Sequence, residues 1–308
     1  MAPGRDRALP ALERAQDAAA MAPRLRDLLG GEGALEVRLL KHVPGKRCVL
    51  AYEFATGSRA IGKLYRRNRC SRQAASLLEL AAALRGETST PRLLACWEDL
   101  GLVLQEWVPG VALGEYAALA GRPELAARLG GALADLHASP VRLGPLADVA
   151  AHLRRTCHPG LGALGDAFPH LGAVLLRVER EMYAREAALA QSLRPCHGDF
   201  SPHQIFMDGE RVYLVDVDGL CHSDPAFDVA NFRVGLQAHL GGAAAPLAAR
   251  FLGAYLERRG LEALPGLPHY EALGHLRRAM ILWRKRPSNW EEQVHLCVER
   301  SRERLGIA

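Results

Sequence analysis

Cys196-His197-Gly198-Asp199-Phe200-Ser201-Pro202-His203-Gln204, followed by Leu214-Val215-Asp216-Val217-Asp218, is the stretch on which the reading of this chain turns. It sets two separate carboxylates and an amide at the start and end of one predicted hairpin, turned at Asp208-Gly209-Glu210. Magnesium takes hard oxygen ligands and keeps several of its waters, so one or two carboxylates beside substrate phosphates suit it. A further carboxylate can orient a hydroxyl group and accept its proton late in a transfer. The pattern points to chemistry on a nucleoside triphosphate and says little about the acceptor.

Register decides whether the hairpin can serve in this way, because side chains alternate faces along a strand. A three-residue loop puts Gln204 and Asp216 on one face, whereas a two-residue loop makes them diverge unless the strand ends twist, and such divergence counts against a shared metal site. The three-residue loop, or an equivalent bulge, is the expectation. Asp218, two residues beyond Asp216, shares its face and reads equally as a helper at the metal or as a polar strand end.

Upstream lie three strand-like runs, 34–43, 46–55 and 58–65, turned at Pro44-Gly45 and Thr56-Gly57. Residues 8–30 carry an apolar pattern of helical period. Residues 72–84 read as a helix stopped by Arg85-Gly86, and 93–98 with 102–108 as a hairpin ended by Pro109-Gly110. Beyond it 113–120, 123–139, 146–156 and 174–193 have helical spacing, as does the chain from about Phe227 onward.

Lys63 sits in Ala60-Ile61-Gly62-Lys63-Leu64 on the third strand. A triphosphate needs a fixed cation for its inner phosphates, and a strand holds one rigidly. The alternative is a solvent-facing strand lysine; the downstream motif favours the phosphate role. Such a lysine needs a carboxylate on the next helix to orient it, and Glu79, the only acid between Lys63 and Gly86, is the candidate, with a helix-surface glutamate as the alternative. The turn Val43-Pro44-Gly45-Lys46-Arg47 has a single glycine, so backbone cradling of phosphate is poorly supported. Lys46 and Arg47 either contact phosphate themselves or are ordinary turn residues.

The ordered set of His-Gly-Asp, Gln204, a glycine turn, Asp216 and Asp224-Pro225-Ala226-Phe227-Asp228, with Lys63 and Pro109-Gly110 upstream, resembles the aminoglycoside phosphotransferase-like small-molecule kinases. The resemblance covers roughly residues 35–255. It implies an α+β, bilobal protein kinase-like fold: a small β-rich N-lobe, 1–108, carrying a helical extension over 1–32, and a helical C-lobe, 109–308. It implies Mg2+ and ATP or GTP as phosphoryl donor. Asp199 would orient the acceptor hydroxyl, with His197 bracing the loop and Asp228 supporting it from within the C-lobe. Asp216 and Gln204 would hold the metal, and Lys63, oriented by Glu79, the inner phosphates. The backbone around Glu106 and Val108 would meet the base. The family usually has Asn where Gln204 stands; some maltokinase-like relatives carry Gln, whose extra methylene changes the reach by roughly 1.5 Å.

The resemblance implies a small hydroxyl compound as acceptor: a sugar, an amino alcohol or an aminoglycoside. Residues 140–193 hold no acidic cluster of the kind a polycation calls for. The basic run from Arg277-Arg278 to Arg284-Lys285-Arg286, with Trp283 and Trp290, reads either as a sugar or anion site or as a solvated helix with its tryptophans in the core. A rival from another class is a pseudokinase that binds nucleotide without turnover. A nucleic-acid partner is suggested only by the basic balance of +5; no basic stripe with interleaved aromatics supports a specific one. Only four of the 39 basic residues are lysines, which makes each easy to inspect. Seven scattered cysteines without a Cys-x-x-Cys pair suit a reducing cytoplasm. Neither an apolar leader nor a membrane-length apolar run is present.

Overall fold

Residues 6–66, 69–186 and 192–307 are described by the structure, a computed structural model. The chain divides into two compact units, residues 1–111 with 206–218, and residues 112–205 with 219–308.

In the first unit, α1 (Leu12–Gln16) and α2 (Ala18–Leu29) precede β1 (Leu35–Val43), β2 (Arg47–Phe54) and β3 (Arg59–Tyr65). α3 (Cys70–Ala83), β4 (Thr88–Ser89), β5 (Leu93–Trp97) and β6 (Leu102–Glu106) follow. The main sheet is antiparallel, in the order β1-β2-β3-β6-β5. Alternation assigns its two faces. Cys48, Leu50, Tyr52 and Phe54 of β2, with Ala60 and Leu64 of β3, enter a core shared with Leu12, Met21 and Leu25. The N-terminal helices therefore cover one face of the sheet, and the Tyr52 hydroxyl ties them down by donating to the Ala15 carbonyl at 2.8 Å. Asp17 caps α2 by accepting from the amides of Ala19 and Ala20. The intervening residues Arg47, Val49, Lys63 and Tyr65 belong to the other face, with Arg47 opposite Tyr65 and Val49 opposite Lys63. Cys70 and Ala74 of α3 pack there against Tyr65 and Val103.

A second sheet has the order β4-β10-β9-β7, with β7 spanning Val111–Ala112, β9 Ile205–Asp208 and β10 Arg211–Leu214. β10 lies parallel to β4, Val212 opposite Thr88, which is why residues 206–218 group with the first unit. A division at 108/109 assigns them instead to the helical part. The turn between β9 and β10 also departs from expectation. Only Gly209 and Glu210 separate the strands, not three residues, and Gly209 takes φ +56° at the first turn position. Glycine there makes the tighter two-residue connection accessible.

The second unit is mainly helical. It comprises α4 (Pro123–Ala138), α5 (Val149–Thr156), α6 (Leu161–Ala167), α7 (Pro169–Glu186), α8 (Ala226–Leu240), α9 (Ala244–Arg259), α10 (Leu267–Lys285) and α11 (Trp290–Arg304). β8 (Arg194–Cys196) and β11 (Cys221–Ser223) form a short antiparallel pair. Leu153, Leu164, Leu175, Phe227, Leu276 and Val298 share one core, and Trp283 and Trp290 pack against it. The tryptophans thus belong to the core. The run 113–120 forms a single 3-10 turn, Tyr116–Leu119, not a helix. The helix expected over 174–193 begins earlier, at Pro169; residues 187–191 lie outside the described part. Among the described residues no helix is long and apolar enough to cross a membrane.

Candidate active site

The face of β2 and β3 left free by the core carries a charge cluster. Lys63 is only 7% exposed, which rules out a solvent-facing lysine. Its Nζ donates to Asp216 Oδ1 at 2.9 Å and to Asp218 Oδ1 at 3.2 Å. The Arg47 guanidinium grips both oxygens of Asp216, at 3.1 and 3.0 Å, and also bonds Asp218. Tyr65 donates its hydroxyl to Asp218 Oδ1 at 2.6 Å. Burial first, and then the charge of Asp218, push the Tyr65 phenol well above its ordinary pKa, so it stays a neutral donor. Two cations and one hydroxyl meet two carboxylates.

Asp216 and Asp218 lie beyond the end of β10, the first in irregular backbone and the second in a 3-10 turn over Val217–Gly219, so strand alternation does not govern them. Asp216 takes φ +58°. That left-handed conformation costs about 1–2 kcal/mol for a residue with a side chain, and Asp is among the few that visit it routinely. The charge cluster supplies the compensation.

Glu79 does not orient Lys63. It is exposed on α3, while Ala74, Leu77 and Leu80 fill the buried face of that helix, and it has no ion-pair partner among the described residues. The turn pair separates as well. Lys46 is exposed and lines a basic cleft of about 550 Å³ with Arg66, Arg69 and Arg72, whereas Arg47 turns to the aspartates. At the end of β6 the Glu106 amide already donates to the Arg92 carbonyl at 2.9 Å, and the Glu106 carboxylate accepts from Arg92 Nε at 2.6 Å. Val108, past the strand and buried, makes no backbone hydrogen bond among the described residues.

In the second unit the loop after β8 is braced from several sides. Asp228 of α8 is fully buried and accepts from the amides of His197 at 2.6 Å and Gly198 at 3.0 Å, and from His137 Nε2 at 3.3 Å. Burial pushes its pKa up, but the hydrogen bond and charge of His137, the charge of His197 and the Gly198 amide together hold the carboxyl below its ordinary value. Arg155 donates to the carbonyls of Gly198 at 2.7 Å and Gly219 at 3.0 Å. Gly198 has φ +82°, and a Cβ there would lie 2.2 Å from the Gly219 oxygen, so only glycine fits this crossing. Phe200 is fully buried against Phe232 and Phe251, and its carbonyl accepts from Asn231 Nδ2 at 2.9 Å.

Bracing on both sides presents Asp199, whose side chain is 45% exposed, at a cavity of about 280 Å³. Its Oδ1 accepts from Arg277 Nη2 at 2.6 Å, and Arg277 Nη1 donates to Asn231 Oδ1 at 2.6 Å. Gln204 ends the 3-10 turn Pro202–Gln204 and lines the same cavity; its side-chain amide has no partner among the described residues. His197 is fully buried behind the loop. Tyr65 is the kind of residue alternation finds, two positions from Lys63 on one face. Arg155, Asn231 and Arg277 have no such signal, since each meets the loop from a helix at least 31 residues away in sequence.

The oxygen chemistry fits a hard divalent cation. Both aspartates turn carboxylate oxygens toward the same Lys63 ammonium and the same Arg47 guanidinium, as a pair arranged about positive charge does.

The chain matches the model of the phosphotransferase enzyme family over residues 41–273. No curated protein sequence matches it. Solved structures with the same fold include a choline/ethanolamine kinase family protein from Mesorhizobium loti, with TM-score 0.62, 19% identity, and 92% of this chain and 95% of that one covered. Amicoumacin kinase, solved with AMP-PNP and Ca2+, aligns with TM-score 0.66 and 14% identity over 95% of each chain. The GDP and kanamycin complex of APH(2″)-IIIa aligns with TM-score 0.61 and 16% identity over 92% and 98%. The fold is α+β and protein kinase-like, with a β-sheet unit and a helical one.

Proposed function

The chain belongs to the phosphotransferase enzyme family, and from that premise we propose that it is an ATP- or GTP-dependent, magnesium-requiring kinase that phosphorylates a hydroxyl group on a small molecule. The observation that carries this reading is the convergence of Asp216 and Asp218 on Lys63. Two carboxylates held on one ammonium, with Asp216 in a left-handed backbone, suit phosphoryl transfer, which is mainly positioning and charge neutralisation. Magnesium, held by Asp216 and Asp218, would neutralise charge on the phosphates.

Lys63 exchanges its carboxylate partners for the inner phosphates of the nucleotide. Lys46 adds positive charge on the phosphate side, and the free Val108 backbone meets the base. Asp199 orients the acceptor hydroxyl. The acceptor oxygen forms a bond to the γ-phosphorus, and the bond from that phosphorus to the β,γ-bridging oxygen breaks. Its electron pair leaves on the nucleoside diphosphate, and the hydroxyl proton passes to the Asp199 carboxylate. Neighbours solved with kanamycin and with amicoumacin support an acceptor in the small-molecule range. Seven free thiols support a reducing compartment such as the cytoplasm.

A pseudokinase is the second reading. It is favoured by two observations: Asp199 is already engaged by Arg277, and Lys63 lacks a helix carboxylate. Nucleoside diphosphate release, measured with magnesium across sugars, amino alcohols and aminoglycosides, separates the two. Acceptor-stimulated release abolished by chelation is the expected result. A thermal shift with MgATP but no release with any acceptor would favour the pseudokinase, and absence of both would overturn the nucleotide site itself.

A further inference from the structure

The cavity at Asp199 is unbalanced in charge. Arg277, Arg278 and Lys285 of α10 line it, against the single carboxylate of Asp199. Arg277 is committed to Asp199 and Asn231. Arg278 is half-buried and Lys285 exposed, and neither side chain has a hydrogen bond or ion pair among the described residues. Glu115, next to Tyr116 in the chain, is exposed and does not line the cavity. His239 also lines it, with a pKa lowered by burial and then by the charge of Arg278, so it contributes no positive charge at neutral pH.

A guanidinium drawn partly out of water without a carboxylate is poorly compensated. Its planar fork is suited to bind carboxylate or phosphate oxygens in pairs. Asp199 lines the same cavity and is placed to receive a hydroxyl. At about 280 Å³ the space is just below the range of about 300–1,000 Å³ for drug-sized ligands.

We propose that the acceptor carries its own anionic group, a phosphate monoester or a carboxylate, held by Arg278 and Lys285 while its hydroxyl faces Asp199. This specificity rests on the reading of Asp199 as the residue that orients the acceptor. Uncharged compounds lose the anchoring bonds, and amines meet three cations and one carboxylate that is already paired. Arg277 couples the anion to the hydroxyl, since an anion that draws its guanidinium away releases the Asp199 carboxylate for the hydroxyl.

Matched triads on one scaffold test this: glucose 6-phosphate, glucose and glucosamine, and glycerate, glycerol and 3-amino-1,2-propanediol. Binding is measured by calorimetry and turnover by nucleoside diphosphate release, on the full chain and on Arg278→Ala, Arg278→Glu and Lys285→Glu. The anionic member of a triad should be preferred over the amine by at least about tenfold in Kd or kcat/KM. Arg278→Ala should raise the KM or Kd of that member about tenfold, with the nucleotide KM within twofold, and Arg278→Glu should narrow or reverse the order. Turnover of neutral or amine compounds with no anionic preference would overturn the proposal and leave the kinase reading intact. A preference indifferent to Arg278 and Lys285, or no binding of any anionic member, would overturn it too. Arg278-dependent binding of anions with no turnover would support the anion site and count against the kinase reading alone.

Discussion

Replacing Asp228 by asparagine keeps the shape of the side chain and removes its charge, which isolates what holds the loop at 197–199. The carboxylate is fully buried and accepts from three nitrogens, those of His197, Gly198 and His137. Asparagine offers one oxygen and turns an NH2 group toward a donor. One buried N–H without an acceptor costs about 1–3 kcal/mol, and loss of charge assistance at the remaining bonds adds about 1 kcal/mol. The sum, about 2–4 kcal/mol, corresponds to a fall in Tm of roughly 3–6 °C for a chain of this size. Calorimetry at neutral pH reads it directly. The same variant should lower kcat about tenfold with the nucleotide KM within twofold, because the loop carries Asp199. The sign with pH also follows. Asp228 has a folded pKa below 3.8, so its contribution is complete above that value and is lost as pH falls through the folded pKa. The gap between variant and parent should therefore shrink only in strong acid. A Tm change under about 2 °C with unchanged kcat would refute the idea that Asp228 holds the loop.

Lys63→Ala should raise the nucleotide KM at least about tenfold, since it removes a buried cation shared by two carboxylates. Glu79→Ala should change stability by less than about 0.5 kcal/mol and the nucleotide KM by less than twofold, because Glu79 is exposed and apart from Lys63; an effect comparable to that of Lys63→Ala would restore the pairing expected from the sequence. Acid should weaken the fold through its buried histidines. Burial, with nearby arginines, lowers His269 and His275 to about 4 and His152 to about 3. A depressed histidine is harmless above its unfolded pKa of 6.5 and destabilises as pH falls toward the folded value. Denaturant melts should show stability falling by up to about 1.4 kcal/mol per pH unit for each histidine between pH 6.5 and 4. A flat profile across that window would contradict their burial in the neutral form.

Much of the first unit is readable from alternation. Cys48, Leu50, Tyr52 and Phe54 mark the core face of β2, and the same period puts Lys63 on the opposite face with Tyr65 and Arg47. Periodicity stops where the strands stop. Asp216 owes its aim to a left-handed backbone beyond β10, and the two-residue turn at Gly209-Glu210 follows from one glycine dihedral. Neither leaves a periodic trace. Glu79 shows the hazard of choosing an acid because it is the only one available: the apolar residues of α3 decide which face it occupies. Arg155 and Arg277 reach the loop by long-range packing, which local sequence does not encode. Strands of two or three residues, such as β4, β7 and β8, are too short to show a period.

The most direct test is Asp199→Ala, assayed for both acceptor-stimulated nucleotide consumption and nucleotide affinity. Removing the carboxylate that orients the hydroxyl should cut turnover by at least about 100-fold and leave the nucleotide Kd within twofold. Retained turnover, or equal loss of turnover and nucleotide binding, would contradict the role assigned to Asp199.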